Sequence, residues 1–237
     1  MKILSLETSA KAVSCAVVED GIPIASAWQQ TGLTHSRTLM PMVEAMLKNS
    51  DMDLKGMDAI AVAAGPGSFT GLRIGIAAAK GLAWGAEKPC IAVSTLEAMA
   101  MPLCHLEGHL ILCAMDARRQ QIYNALFLAQ GGGLTRLAED RAIALEEVAS
   151  ELAGEARPIT IVGDGASLCH DFLKEAGISC SLAPVHLRAQ SAVGVGLAAE
   201  ALAKDGKLLT AQELTPVYLR LSQAERERLE KLREQKA

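Results

Sequence analysis

The stretch Ala59-Ile60-Ala61-Val62-Ala63-Ala64-Gly65-Pro66-Gly67-Ser68-Phe69-Thr70-Gly71-Leu72-Arg73-Ile74-Gly75 decides how the rest of the chain is read. Ala59 to Ala64 is an unbroken apolar run of strand length. It stops at a Gly-Pro-Gly loop, after which Ser68 and Thr70 lead into a helix predicted from about Leu72 to Trp84. A strand, a glycine loop and a helix in that order leave backbone N–H groups facing outward, where they can hold an anion. The helix has a second property. Gly71, Gly75, Ala78, Ala79 and Leu82 recur at helical spacing, and a side nearly bare of side chains lets another helix come close. The segment therefore predicts a phosphate site, a docking face, or both.

Upstream of this segment the pattern gives a strand from Ile3 to Leu6 ending at Glu7-Thr8-Ser9. Strands at Val13 to Val18 and Ile22 to Trp28 follow, then a helix from about Ser36 to Lys48. Downstream the same order returns. A strand from Leu110 to Met115 ends at Asp116, and a second runs from Ile122 to Leu128. A Gly131-Gly132-Gly133 turn leads to a third strand, then a helix at Leu145 to Leu152, a strand at Ile159 to Val162 and the loop Gly163-Asp164-Gly165. Two halves with one element order predict an α/β chain of two related lobes and a cleft between them. Strands ending in an acidic residue at the start of each half match the pattern of actin-like nucleotide-binding folds. The division expected is 1–104 for the first lobe, 105–188 for the second, and 189–221 for a helix (Ala189 to Lys204) and segment packing back on the lobes. A charged tail at 222–237 completes it.

Composition narrows the function. Of 237 residues, 50% are hydrophobic but only 3% aromatic, and the net charge is −4, which argues against a base-stacking or phosphate-coating surface for nucleic acid. No apolar run reaches membrane-spanning length, because Lys80 splits the longest one, and the N-terminus has no signal-peptide core before Glu7. The six cysteines sit mostly in apolar runs without short paired spacings. They read as reduced, packed thiols of a cytosolic protein rather than a disulfide framework or zinc site.

Five blocks, Ile3-Leu4-Ser5-Leu6-Glu7-Thr8-Ser9, His35-Ser36, Gly65 to Arg73, Met115-Asp116-Ala117-Arg118-Arg119 and Pro216-Val217-Tyr218-Leu219-Arg220, together resemble the bacterial TsaB (YeaZ) family over nearly the whole chain. The resemblance implies an actin-like two-lobe fold, each lobe a mixed sheet flanked by helices. It also implies a cytoplasmic subunit of the complex that forms threonylcarbamoyladenosine in tRNA, at the adenosine following the anticodon. In that family the catalytic subunit is a larger paralogue, TsaD, and the small ATPase TsaE takes part. TsaB binds and activates TsaD, pairs with itself as a homodimer, and meets tRNA through the complex. ATP and magnesium belong to the complex, with no cofactor of the subunit's own. The two helices after Ser36 and Leu72 form the family's helix-bundle interface. Leu39, Met40, Val43, Met46 and Leu47 on the first, and Leu72, Gly75, Ile76, Ala79 and Leu82 on the second, are the expected interface residues here.

Glu7, Thr8, Gly67, Ser68, Asp116, Arg118 and Arg119 occupy positions where an actin-like fold holds phosphate and metal. Yet the first hairpin, Glu7-Thr8-Ser9-Ala10-Lys11-Ala12, has no glycine to let phosphate in, and Lys11-Ala12 stand where the catalytic paralogue has acids. These residues read as a vestigial phosphate loop. The Arg118–Arg119 pair fits a phosphate, a partner carboxylate or a structural ion pair equally well. His105-Leu106-Glu107-Gly108-His109 has metal-ligand spacing, but Gly108 disfavours a helix there, and the positions equivalent to the paralogue's histidines are Thr95 and Met99. His35 beside Ser36 makes no nucleophilic pair, and Ser36 reads as a helix N-cap. The alternative to a partner subunit is an independent actin-like ATPase or kinase, or a metallohydrolase using His105 and His109.

Overall fold

The computed structural model describes residues 1–117 and 121–220. Arg118 and Arg119, and the charged tail from 222 onward, lie outside the described residues. The first lobe opens with β1 (Lys2–Glu7), β2 (Val13–Glu19) and β3 (Ile22–Gln29), a meander paired antiparallel. Helix α1 (His35–Asn49) returns the chain so that β4 (Ala59–Gly65) pairs in parallel with β1. Helix α2 (Phe69–Ala86) does the same for β5 (Cys90–Ser94) on β4. A short helix α3 (Thr95–Ala100) leads to the second lobe. There β6 (Leu110–Asp116), β7 (Gln121–Gln130) and β8 (Gly133–Ala144) form the second meander. Helix α4 (Leu145–Leu152), strand β9 (Ile159–Val162), helix α5 (Ala166–Glu175) and strand β10 (Ser181–Leu182) follow. A four-residue helix α6 (Val185–Arg188) and the long helix α7 (Ala192–Lys204) end the regular structure.

The two sheets have one topology, β3-β2-β1-β4-β5 and β8-β7-β6-β9-β10. The duplication expected from element order is therefore real, and the chain has the two-lobe actin-like fold.

Period-two alternation tells each strand which layer to meet. Leu4, Leu6, Ile60 and Val62 face α1 and α2, where Leu39, Val43, Met46, Leu47, Ile76, Ala79 and Ala83 complete the core. Ile3, Ala59, Ala61 and Ala63 face the other way, onto Ala98 of α3 and Val195, Ala198 and Ala199 of α7. In the second lobe one face packs on α4 and α5. The other, with Ile111, Cys113 and Met115, packs on Leu96, Met99 and Leu103. Thus α3 covers the inner face of the second sheet and α7 that of the first. The two helices touch at backbone level, since a Cβ on Gly194 would lie 2.0 Å from the Ala98 carbonyl oxygen.

Three boundaries differ from the sequence reading. Helix α2 begins at Phe69, three residues early, because the Ser68 hydroxyl accepts from the Gly71 N–H at 3.3 Å and caps the first turn. Helix α1 has Thr34, not Ser36, at its N-cap, with no side-chain cap bond, and Ser36 lies exposed in the first turn. Helix α7 begins at Ala192 rather than Ala189, capped by Ser191 and pinned to the first sheet. The Ser5 hydroxyl donates to the Ala192 carbonyl at 2.7 Å, and the Ala192 N–H donates to the Ser14 hydroxyl at 2.9 Å.

Candidate functional site

Two places were marked by the sequence, the mouth of the cleft and the outer helices. At the cleft, Glu7 is the last residue of β1 and is fully buried. One carboxylate oxygen accepts from the Ser9 N–H at 2.5 Å; the other, Oε2, is buried with no hydrogen-bond partner. Burial pushes the Glu7 pKa up to about 7, against the Ser9 hydroxyl and the Ser9 and Thr8 amides, which pull it down. The Ser9 hydroxyl is close enough for that pull but in a geometry that completes no hydrogen bond. Asp164 of the second lobe adds a like charge nearby. Asp164 is exposed as a residue, yet the protein crowding its carboxyl raises its pKa. The Gln190 amide (3.4 Å) and the Asp116 N–H hold its charge, and the Asp116 carboxylate opposes it. Three acids thus converge where the resemblance would put a phosphate.

The glycine loop itself is closed from two sides. The peptide Gly65–Pro66 is cis, Gly65 has φ +134°, and a Cβ there would lie 2.2 Å from the Val217 carbonyl oxygen. The Val217 N–H donates to the Ala64 carbonyl at 2.7 Å. On the other side, a Cβ on Gly67 would lie 2.5 Å from the Ser9 carbonyl oxygen, which accepts from the Ser68 N–H at 2.7 Å. The second lobe repeats the device: Gly165 crowds the Asp116 N–H, and its own N–H donates to the Ala114 carbonyl at 3.0 Å. Glycine at these positions serves backbone-to-backbone packing. Thr8 is buried with its hydroxyl bonded to the Gly71 carbonyl at 2.7 Å, and Ser68 is spent as a cap.

The histidine spacing does not assemble. His105 Nδ1 is 3.0 Å from the Pro102 carbonyl oxygen in a turn, Gly108 has φ +78°, and His109 Nδ1 meets the Thr160 hydroxyl at 2.9 Å. Among the described residues no three His, Cys, Asp or Glu side chains group so as to hold a metal ion.

The expected interface residues need a correction. Leu39, Val43, Met46, Leu47, Leu72, Gly75, Ile76 and Ala79 are buried inside their own lobe, Leu82 is half-buried, and only Met40 is well exposed, at 41%. The bare side formed by Gly71 and Gly75 meets Thr8: a Cβ on Gly75 would stand 2.3 Å from the Thr8 hydroxyl oxygen. No room remains there for another helix. The outward side of α2 is also sparse, however. Ala77, Gly81 and Gly85 are exposed at four-residue spacing, with nothing within 4 Å of a Cβ built on either glycine. Trp84 stands beside them, 72% exposed. Arg73, one turn before Ala77, is exposed on α2 as well.

The family model of TsaD, tRNA N6-adenosine threonylcarbamoyltransferase, matches residues 29–227. The tRNA threonylcarbamoyladenosine biosynthesis protein TsaB of Bacillus subtilis is 34% identical over 229 residues, 95% of this chain and 96% of that one. Its Escherichia coli counterpart is 35% identical over 225 residues, 93% and 95% of the respective chains. This chain belongs to the TsaB family. The solved structure of YeaZ from Pseudomonas aeruginosa agrees, with a TM-score of 0.78 at 27% identity over 92% of this chain and 99% of that one.

Seen as a TsaB-family chain, it carries features that its sequence pattern did not mark. Asp164 was read only as part of a loop, and its coupling to Glu7 depends on how the lobes meet. The seat of Val217 on Gly65, and the Tyr218 ring stacked on Phe69 at 3.9 Å, join positions far apart in the chain. Trp84 closes the predicted helix, and nothing in its spacing says that it points outward. Among the described residues, no helix is long and apolar enough to cross a membrane.

Proposed function

We propose that this chain is a non-catalytic subunit that binds and activates TsaD in forming threonylcarbamoyladenosine in tRNA. The observation that carries the reading is the glycine loop packed shut by Ser9 on one side and Val217 on the other. A phosphate would have to displace backbone from both sides before it could reach the loop's N–H groups. That packing, and a first hairpin with Lys11 and no glycine, support a subunit that holds no nucleotide of its own. ATP, magnesium and TsaE act in the assembled complex, and tRNA is met through it.

The seat for TsaD is the outer side of α1 and α2, around Met40, Ala77, Gly81 and Gly85, rather than the inward residues. Small residues at four-residue spacing admit a partner helix at close range, and the exposed Trp84 of α2 and Met40 of α1 supply apolar area. The same surface would serve a homodimer, so the two pairings would compete.

Mixing the purified chain with TsaD and following sedimentation and threonylcarbamoyl transfer tests this. Gly81→Arg should abolish co-sedimentation and activation, with the circular dichroism and melting behaviour of the parent retained. Unaltered association of that variant would refute the seat. Magnesium-dependent ATP turnover by the isolated chain would refute the non-catalytic reading.

A further inference from the structure

We propose that residues 214–220 form a clasp that locks the two lobes in one relative setting. Leu214 is fully buried in the first-lobe core and anchors the segment. Three residues on, Val217 is bonded to Ala64 at the end of β4 and fills the space beside Gly65. The Tyr218 ring then lies on Phe69 in the first turn of α2, with 4° between the ring planes, and the Arg73 Nε–H donates to the Tyr218 hydroxyl at 3.0 Å. The Arg73 guanidinium sits 5.4 Å from the Phe69 ring centroid and 5.8 Å from that of Tyr218, adding cation–π attraction to both. Finally, the Arg220 guanidinium donates to the carbonyl of Ala117, which follows β6 in the second lobe. Seven residues thus tie the sheet, the helix start and the glycine loop of one lobe to the central strand of the other.

Beyond the buried Leu214 these contacts are few and partly exposed, unlike the buried α3–α7 contact, so the clasp is the element that can release while each lobe stays folded. Its release would also free the outer side of Gly65. The clasp meets α2 at Phe69 and Arg73, one turn before the Ala77 end of the seat proposed for TsaD, and its test needs no TsaD.

Native cysteines report on it without added labels. Cys113 is buried at the lobe junction, its thiol donating to the Leu96 carbonyl of α3 at 3.1 Å, whereas Cys15 lies in the first-lobe core and Cys169 in the second. The full chain is pulsed with N-ethylmaleimide and each cysteine is read by peptide mass spectrometry. Tyr218→Ala and Arg220→Ala should each speed labelling of Cys113 by about tenfold, which corresponds to about 1.4 kcal/mol, with Cys15 and Cys169 unchanged. Tyr218→Phe, which keeps the stack and loses the bond to Arg73, should fall between. No acceleration at Cys113 would overturn the proposal. Equal acceleration at all three cysteines would overturn it as well, since that is general destabilisation rather than release of one lobe from the other.

Discussion

Replacing Glu7 with glutamine should remove a pH dependence built into the fold. The ordinary carboxyl value is 4.5 and the buried group stands at about 7, a difference worth about 3 kcal/mol at 1.36 kcal/mol per unit. Because the folded value is raised, the native state holds the proton more tightly than the unfolded chain. Stability from this group is complete below pH 4.5, falls as pH rises from there toward 7, and is lost above it. Glu7→Gln mimics the protonated form at every pH. The assay is urea unfolding at pH 5, 6, 7 and 8, followed by the fluorescence of Trp28 and Trp84 together with circular dichroism. Subtracting wild type from variant at each pH cancels the other titrating groups. The difference should move in favour of the variant by about 3 kcal/mol between pH 4.5 and 8, with most of the change below pH 7. Asp164 supplies a nearby like charge, so Asp164→Asn should shrink that change by lowering the Glu7 value. A difference constant with pH would refute the assignment of Glu7 as a buried group neutral in acid.

Two further substitutions test the packing. Gly75→Glu places a side chain where a Cβ alone would meet the Thr8 hydroxyl at 2.3 Å, so it should destabilise the chain by more than about 3 kcal/mol, measured by thermal melting or by loss of soluble expression. It is a test of the fold, whereas Gly81→Arg tests association. Arg136 bonds Glu97 at 2.7 Å and Asp140 at 2.6 Å and lies over the Phe127 ring, while Ser94 donates to Asp140 at 2.5 Å. Arg136→Met should cost about 2 kcal/mol near neutral pH, discounted for partial exposure, and the loss should lessen in acid as the stranded carboxylates take up protons.

Much of this molecule is legible in one dimension, because local rules act on local residues. Apolar runs bounded by glycine and acidic residues mark the strands, and the repeated order of elements is enough to require two lobes. Departures from the motif were equally readable: a hairpin with Lys11 and no glycine, and Thr95 and Met99 in place of histidines, need no coordinates to be seen. Periodicity also found the sparse side of α2, since Gly71, Gly75 and Ala79 lie four apart.

Which side of that helix faces water was beyond the sequence. Small residues run along two sides of α2, Gly71-Gly75-Ala79 and Ala77-Gly81-Gly85, and helical spacing gives both the same standing. The choice is made by Thr8, 67 positions before Gly75, whose backbone and hydroxyl claim the first side. In the same way, Gly65 looked fit for phosphate until Val217, 152 positions later, was found seated on it. A glycine in sequence records only that something comes close. What comes close is settled by long-range packing, which no local pattern encodes.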